Sequence, residues 1–336
     1  MTRLIWMMEQ DNCPSWVGQH FAQREWALWR PDCVYDDREV FIHHMYGRHR
    51  DKIPGQLARG HRVVYDARNE HFLMPEHAKV IELFGQYPGQ GAVLISGQTA
   101  MSIPGIKIIA CPIWYWVMDQ ANWLAQGMDQ WRLQPRPTHD FWMPMGLART
   151  HRDQLWSRME QRGCLDRGLV SYRARGIFLP DDTGQDDWQR YINPQWIAST
   201  HFSVVVETFI DLSQDQGVSL TLDDELFICE KTFKPLAMGH PFVMVSTYHN
   251  LAYVRHLGFE TFDEVFDQSY DHERDTNRRI EKAIDAVMGF DPAAIDTPAV
   301  RAKLAHNFDR FWDQKLVRGL LDQTVLAPLE EWIDAT

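Results

Sequence analysis

A chain of 336 residues is long for one compact core and comfortable for two. Hydrophobic residues make up 45% and charged residues 24%, which excludes a disordered or fibrous chain. A net charge of −12 argues against a long nucleic-acid footprint, which needs clustered Lys and Arg, but leaves room for a local basic cleft.

Cys13, Cys33, Cys111, Cys164 and Cys229 are odd in number, scattered, and never spaced CxxC. That pattern reads as reduced thiols in a cytoplasmic protein. Residues 3–8 form an apolar run too short for a signal peptide and predict a first buried strand. No stretch approaches about 18 uninterrupted apolar residues, so no membrane span is expected. The 14 Trp are expected in cores and lobe interfaces, with some available to stack on a sugar or base.

A Trp-rich helix is predicted over 15–29, bounded by Pro14 and Pro31. Residues 38–60 give no clear element. Strands follow at 62–66, 92–96 and 106–110, with a helix at 76–84 that has Pro75 at its start. The Pro- and Arg-containing stretch 130–139 marks a lobe boundary. A second series follows: a strand at 141–145 weakened by Pro144, a helix at 152–162, a strand at 169–172, an acidic loop at 180–190 and a strand at 202–208. Next come a helix ended by Gly239, a strand at 242–245 and a helix at 251–256 with Gly258 as its cap. Apolar spacing from Leu304 to Leu321 predicts an amphipathic tail helix. Strands alternating with helices indicate an α/β fold with parallel sheets. The chain is divided as residues 1–135, 136–300 and 301–336.

Several common chemistries are missing from the sequence. It has no GxxxxGK[ST], no HExxH and no Asp-x-Asp. Gly89-Gln90-Gly91 precedes its strand and reads as a turn. His43 and His44 are adjacent and point apart on any regular element, which favours packing over metal binding.

The segment from Glu230 to Lys234 is the most informative. It sets a carboxylate, a hydroxyl and two ammonium groups at the mouth of a helix. Ribose hydroxyls want a carboxylate acceptor, and phosphates want cations and a helix N-terminus. Pro235 is read as belonging to the first turn, where its missing N–H costs nothing. Glu207 ends a hydrophobic strand, and ligands bind at strand C-termini in open parallel sheets. Arg149 and Arg152 open the helix after the first strand of the second series, a further place for phosphate oxygens.

At these residues the chain resembles a known group. Residues 227–237 followed by Gly239-His240-Pro241-Phe242 look like the donor-site segment of fucosyltransferase-like GT-B glycosyltransferases. The likeness is greatest to those of bacteriophages and some bacteria. Supporting runs are 149–152, 168–172, 202–208 and 257–263, so it covers roughly residues 140–275. The resemblance implies GT-B architecture: two facing Rossmann-like lobes with parallel sheets and a C-terminal helix packing back across them. Residues 1–135 would be the acceptor lobe and 136–300 the nucleotide-sugar lobe. Glu230 would hold the donor ribose. Lys231, with Arg149 or Arg152, would face the diphosphate, with Thr232, Lys234 and Glu207 completing the donor site. The loop Gly146-Leu147-Ala148-Arg149 departs from the more basic, Asn-containing stretch expected there. GT-B enzymes commonly work without a bound metal, so neither cofactor nor metal is expected.

The implied activity is transfer of a hexose or pentose from a nucleotide-diphosphate sugar to a hydroxyl acceptor, either a glycan or a hydroxymethylated base in phage DNA. An inverting mechanism needs a base on the first lobe, and Asp66, Glu70 and His71 follow a strand there. Arg48, Arg50, Lys52, Arg59 and Arg62, with His43, His44 and His49, make a basic region that would suit a DNA acceptor or simply be solvated. A non-catalytic nucleotide-sugar-binding protein and a nucleotide-sugar epimerase on the same scaffold are the alternatives.

Overall fold

A computed structural model describes residues 4–7, 26–28, 39–44, 49–68, 75–95, 103–111, 113–124, 136–179, 193–211 and 226–335. The elements run β1 (Leu4–Trp6), β2 (Trp26–Leu28), β3 (Val40–His44), α1 (Ile53–Ala58), β4 (Arg62–Ala67), α2 (Pro75–Gly85), β5 (Gly91–Ile95), β6 (Ile106–Ala110) and α3 (Trp114–Leu124). They continue as β7 (His139–Met145), α4 (Thr150–Gln161), β8 (Gly168–Tyr172), α5 (Pro194–Ala198), β9 (Thr200–Val206), α6 (Glu230–Met238), β10 (Phe242–Val245) and α7 (Asn250–His256). The last are α8 (Thr276–Met288), α9 (Pro292–Ile295), α10 (Pro298–Trp312), α11 (Gln314–Leu321) and α12 (Ala327–Asp334). No described helix is long and apolar enough to cross a membrane.

Two compact units emerge. One comprises Met1–Trp114 with Arg318–Thr336, and the other Tyr115–Val317. The divisions expected from the sequence lie at 135 and 300. Among the described residues each unit holds one sheet, and every strand pair in both sheets is parallel. This is a Rossmann-like α/β arrangement.

The first unit's sheet has the order β2-β1-β3-β4-β5-β6. β4 is buried on both faces from Val63 to Ala67, as a parallel strand covered by helices must be. Val63, Tyr65 and Ala67 share a face with Val93, Ile95 and Phe41, and pack with Ile53 and Leu57 of α1 and Val80 and Phe84 of α2. Gly91 permits that packing, because a Cβ there would lie 2.4 Å from the Phe84 ring. At the start of β4, Arg62 donates to the carbonyls of Trp332, Ile333 and Ala335 and lies over the Trp332 ring. The last helix is thereby fixed to this sheet.

One expected helix is corrected here. Trp26–Leu28 form a strand paired in parallel with Leu4–Trp6. Pairing with β1 overrides the boundary signals of Pro14 and Pro31 on which the helix expectation rests. The rest of that helix, residues 15–25 and 29, lies outside the described residues, as does the acidic loop at 180–190.

The second unit's sheet has the order β10-β9-β7-β8. Its core is aromatic: Phe202 packs on Phe141, Phe266 and Phe290 with centroids 5.8, 4.9 and 4.7 Å away. The chain steps from β7 to β8 on one side and to β9 on the other, so the topological switch point lies between β7 and β9. Their pairing runs from His139↔Thr200 to Trp142↔Ser203 and stops, while each strand runs on for three residues. Pro144 sits in that separated stretch, so β7 accommodates it without losing a ladder bond to β9.

Candidate functional site

The separated ends of β7 and β9 lead directly into the residues singled out from sequence. β7 runs through Gly146 and Leu147 to Arg149, the extended N-cap of α4. β9 ends at Val206, and the next residue is Glu207, which is fully buried.

Glu207 ties three segments together. One carboxylate oxygen accepts from the Cys229 amide (3.0 Å) and the Thr232 hydroxyl (2.5 Å) at the start of α6. The other accepts from the Cys229 thiol at 2.6 Å and the Thr208 amide at 3.3 Å. Its carbonyl contacts His151 Nε2 at 3.0 Å and accepts from Arg152 at 3.4 Å, both on the first turn of α4. Its amide donates to Val245 O at 3.0 Å. Burial, then the carboxylates of Glu207 and Glu230, push the Cys229 thiol well above its ordinary range. It therefore stays protonated and acts as a donor.

Every residue of α6 is buried. The Lys231 ammonium reaches Glu230 Oε1 (2.9 Å), Thr208 Oγ1 (3.1 Å) and Cys229 Sγ (3.1 Å). Burial alone would lower the Lys231 pKa, but the carboxylates of Glu230 and Glu207 outweigh it and raise it. Burial likewise opposes ionisation of Glu230, yet Lys231 and Lys234 hold its carboxyl below the usual range. Both groups are therefore charged at neutral pH. Lys234 is 4% exposed and attracts Glu230.

Arg152 is 2% exposed. It donates to the carbonyls of Leu147 (2.8 Å) and Glu207, and its Nε has no partner. Burial, reinforced by Arg149 and opposed by Glu207, lowers its pKa. Arg149 lies over the Phe209 ring at 5.3 Å. Among the described residues neither arginine has a carboxylate within ion-pairing distance. Among the described residues, Arg149, Arg152 and Lys231 are gathered about the buried carboxylates of Glu207 and Glu230, and Lys234 attracts Glu230. The N-termini of α4 and α6 add positive potential.

Packing behind α6 fixes its position. Phe233 meets Trp116 at 6.3 Å and Phe311 at 6.4 Å. The Phe311 carbonyl accepts from Trp116 Nε1 and Gln120 Nε2, and Trp312 Nε1 donates to Ala237 O. Gly239, at φ 58°, ends the helix in the left-handed conformation, as expected from sequence. Pro235 stands sixth in the helix rather than in its first turn. It removes the amide that would have bonded the Lys231 carbonyl.

The structure therefore brings Arg149, Arg152, Glu207, Glu230, Lys231, Thr232 and Lys234 into one unit at one switch point. It gives Glu207 and Thr232 to each other rather than leaving them open. His151, Thr208 and Cys229 belong to the same network. The sequence alone gives them no role, although each of the three neighbours a residue it singles out.

The first-unit candidates fare differently. Both Asp66 oxygens accept from the Arg68 guanidinium, at 2.7 and 2.5 Å, and the pair is buried. That places Asp66 in an ion pair at the end of β4. Glu70 and His71 lie outside the described residues. The basic region is thinner than its sequence suggests. His43 is buried against Gln56 Oε1 at 2.7 Å, Arg62 is taken up by the last helix, and Lys52 pairs with Asp51 at 2.8 Å. Arg50 and Arg59 are exposed, and Arg48 lies outside the described residues.

Against known proteins, the chain matches no protein-family model and no curated protein.

Proposed function

We propose that this chain is a glycosyltransferase of GT-B type that holds a nucleotide-diphosphate sugar at the switch point between β7 and β9. The observation that carries the reading is Arg152. A guanidinium in the interior normally has a carboxylate partner, because an uncompensated buried charge is costly. Among the described residues it has none within ion-pairing distance, its Nε is unpartnered, and Arg149 stands beside it. A pyrophosphate diester would supply the negative charge that the Arg152 guanidinium lacks among the described residues. A neutral or cationic ligand would leave it without one.

In this reading Arg149, Arg152 and Lys231 face the diphosphate, and Glu230 takes the ribose hydroxyls with the oxygen not given to Lys231. Breaking the sugar–phosphate bond places negative charge on the departing nucleoside diphosphate. Fixed cations and two helix N-termini stabilise that charge where it forms. If the sugar inverts, a base must accept the acceptor proton, and Glu70 and His71 are the candidates. The acceptor hydroxyl belongs to a glycan or a hydroxymethylated DNA base.

Titration with UDP- and GDP-sugars tests the proposal, with release of free nucleoside diphosphate as the activity readout. Replacing Arg152 by Met should weaken donor binding about 10- to 100-fold, the worth of a charge-assisted bond at roughly 1.5–3 kcal/mol. Glu230→Ala should remove most of the discrimination between a nucleoside diphosphate and pyrophosphate. Donor turnover at the normal rate in either variant refutes the assignment.

A further inference from the structure

We infer that Glu207 is a positioning residue: its carboxylate sets the phosphate-facing start of α6, in register with the start of α4 held by its carbonyl, rather than touching the ligand. The inference rests on the donor-site reading above and assigns a mechanism to it.

Its basis is how the residue's polar groups are used. Glu207 is fully buried, and its carboxylate receives four donors, two of them from Cys229 and one from Thr232. Those residues are the N-cap and third residue of α6. Its carbonyl receives His151 and Arg152 from the first turn of α4. One residue at the end of β9 thus fixes α6 through its side chain and α4 through its main chain. Lys231 follows the first attachment, since its ammonium is bonded to Cys229 Sγ and Thr208 Oγ1. Arg152 follows the second. A carboxylate so occupied has no geometry left for ribose hydroxyls.

Three roles for Glu207 predict three different outcomes with inorganic pyrophosphate as probe. A ribose ligand predicts no change on Glu207→Gln, because pyrophosphate has no ribose. A charge acting only through space predicts tighter binding, since a negative charge leaves a cationic site. A positioning residue predicts weaker binding. The isosteric amide keeps one acceptor but turns a donor toward the Thr208 amide, which can only donate, and toward the Cys229 sulfur, a weak acceptor that already takes the Lys231 ammonium.

The experiment is calorimetric titration of the full chain with pyrophosphate, with melting temperature recorded for each variant. Glu207→Gln should bind on the order of tenfold or more weakly. Thr232→Val should weaken binding in the same direction, and Thr232→Ser, which restores the hydroxyl, should return it close to wild type. Unchanged or tighter binding by Glu207→Gln overturns the inference. If that variant does not fold, Thr232→Val decides, and wild-type affinity in it overturns the inference equally. Failure of the wild-type chain to bind pyrophosphate or any nucleoside diphosphate is a separate result, and it removes the donor-site reading itself.

Discussion

His240 gives the second unit a specific weakness to acid. Its ring lies between Ser203 Oγ (2.9 Å) and Thr200 O (3.0 Å) and is buried. A carbonyl can only accept, so Nε2 carries the proton and Nδ1 accepts from the Ser203 hydroxyl. The neutral ring is fully satisfied. Burial lowers its pKa to about 4, against the pull of the Thr200 carbonyl. The unfolded chain takes up a proton near pH 6.5, and the folded chain refuses it until about pH 4. The unfolded state binds more protons across that window, so stability is intact above pH 6.5 and falls as the pH drops toward 4. The gap corresponds to about 3 kcal/mol, most of it lost by pH 4.5.

The assay is denaturant unfolding of wild type and His240→Gln at several pH values between 4.5 and 7.5. His43, held down at about 4 by burial, behaves in the same way in the first unit, and it cancels in the comparison. At pH 7 the variant should be less stable by roughly 1–2 kcal/mol, having lost a hydrogen bond and some packing. Toward pH 4.5 that difference should vanish or reverse, because the variant has no ring to protonate. A stability gap that stays constant across the range refutes the reasoning.

Three further outcomes follow from local geometry. Gly168→Ala puts a Cβ 2.3 Å from the buried Phe141 ring, which its neighbours prevent from moving, and should cost about 1–3 kcal/mol in thermal unfolding. Arg62→Ala removes the bonds to Trp332, Ile333 and Ala335 and the stacking on Trp332. Limited proteolysis should then cleave α12 several-fold faster, by mass spectrometry, with the remainder of the chain unaffected. Asn307 accepts from the Glu260 amide at 2.7 Å and donates to its carbonyl at 2.9 Å. Asn307→Asp turns the second contact into a repulsion and should lower stability by about 1–3 kcal/mol above pH 5, with partial recovery on acidification.

The parallel strands are legible in sequence because burial on both faces forces continuous apolar runs, as at Val63-Val64 and Val204-Val206. Trp26–Leu28 resists such reading because its state is decided by β1, more than 20 residues earlier in the chain. The donor-site cations are visible as residue types. Their setting is not: the acceptor for Thr232 is Glu207, 25 positions away, and the two meet only once β9 and α6 are packed. A strand-ending carboxylate looks the same in sequence whether it meets a ligand or a neighbouring helix. Asp66 is the opposite case. Arg68 stands two residues on, and that ion pair could have been anticipated from the chain itself.

Helix α6 has no solvent face, with all nine residues from Glu230 to Met238 buried. A surface helix tolerates drift on its wet side. This one offers mutation no free position, so selection for folding alone would keep the stretch nearly fixed over long divergence. Persistence of Phe233, Leu236 or Ala237 in distant proteins is thus what close packing demands of any such helix. Information about chemistry resides in the members that packing would have replaced with hydrocarbon, the charged side chains of Glu230, Lys231 and Lys234.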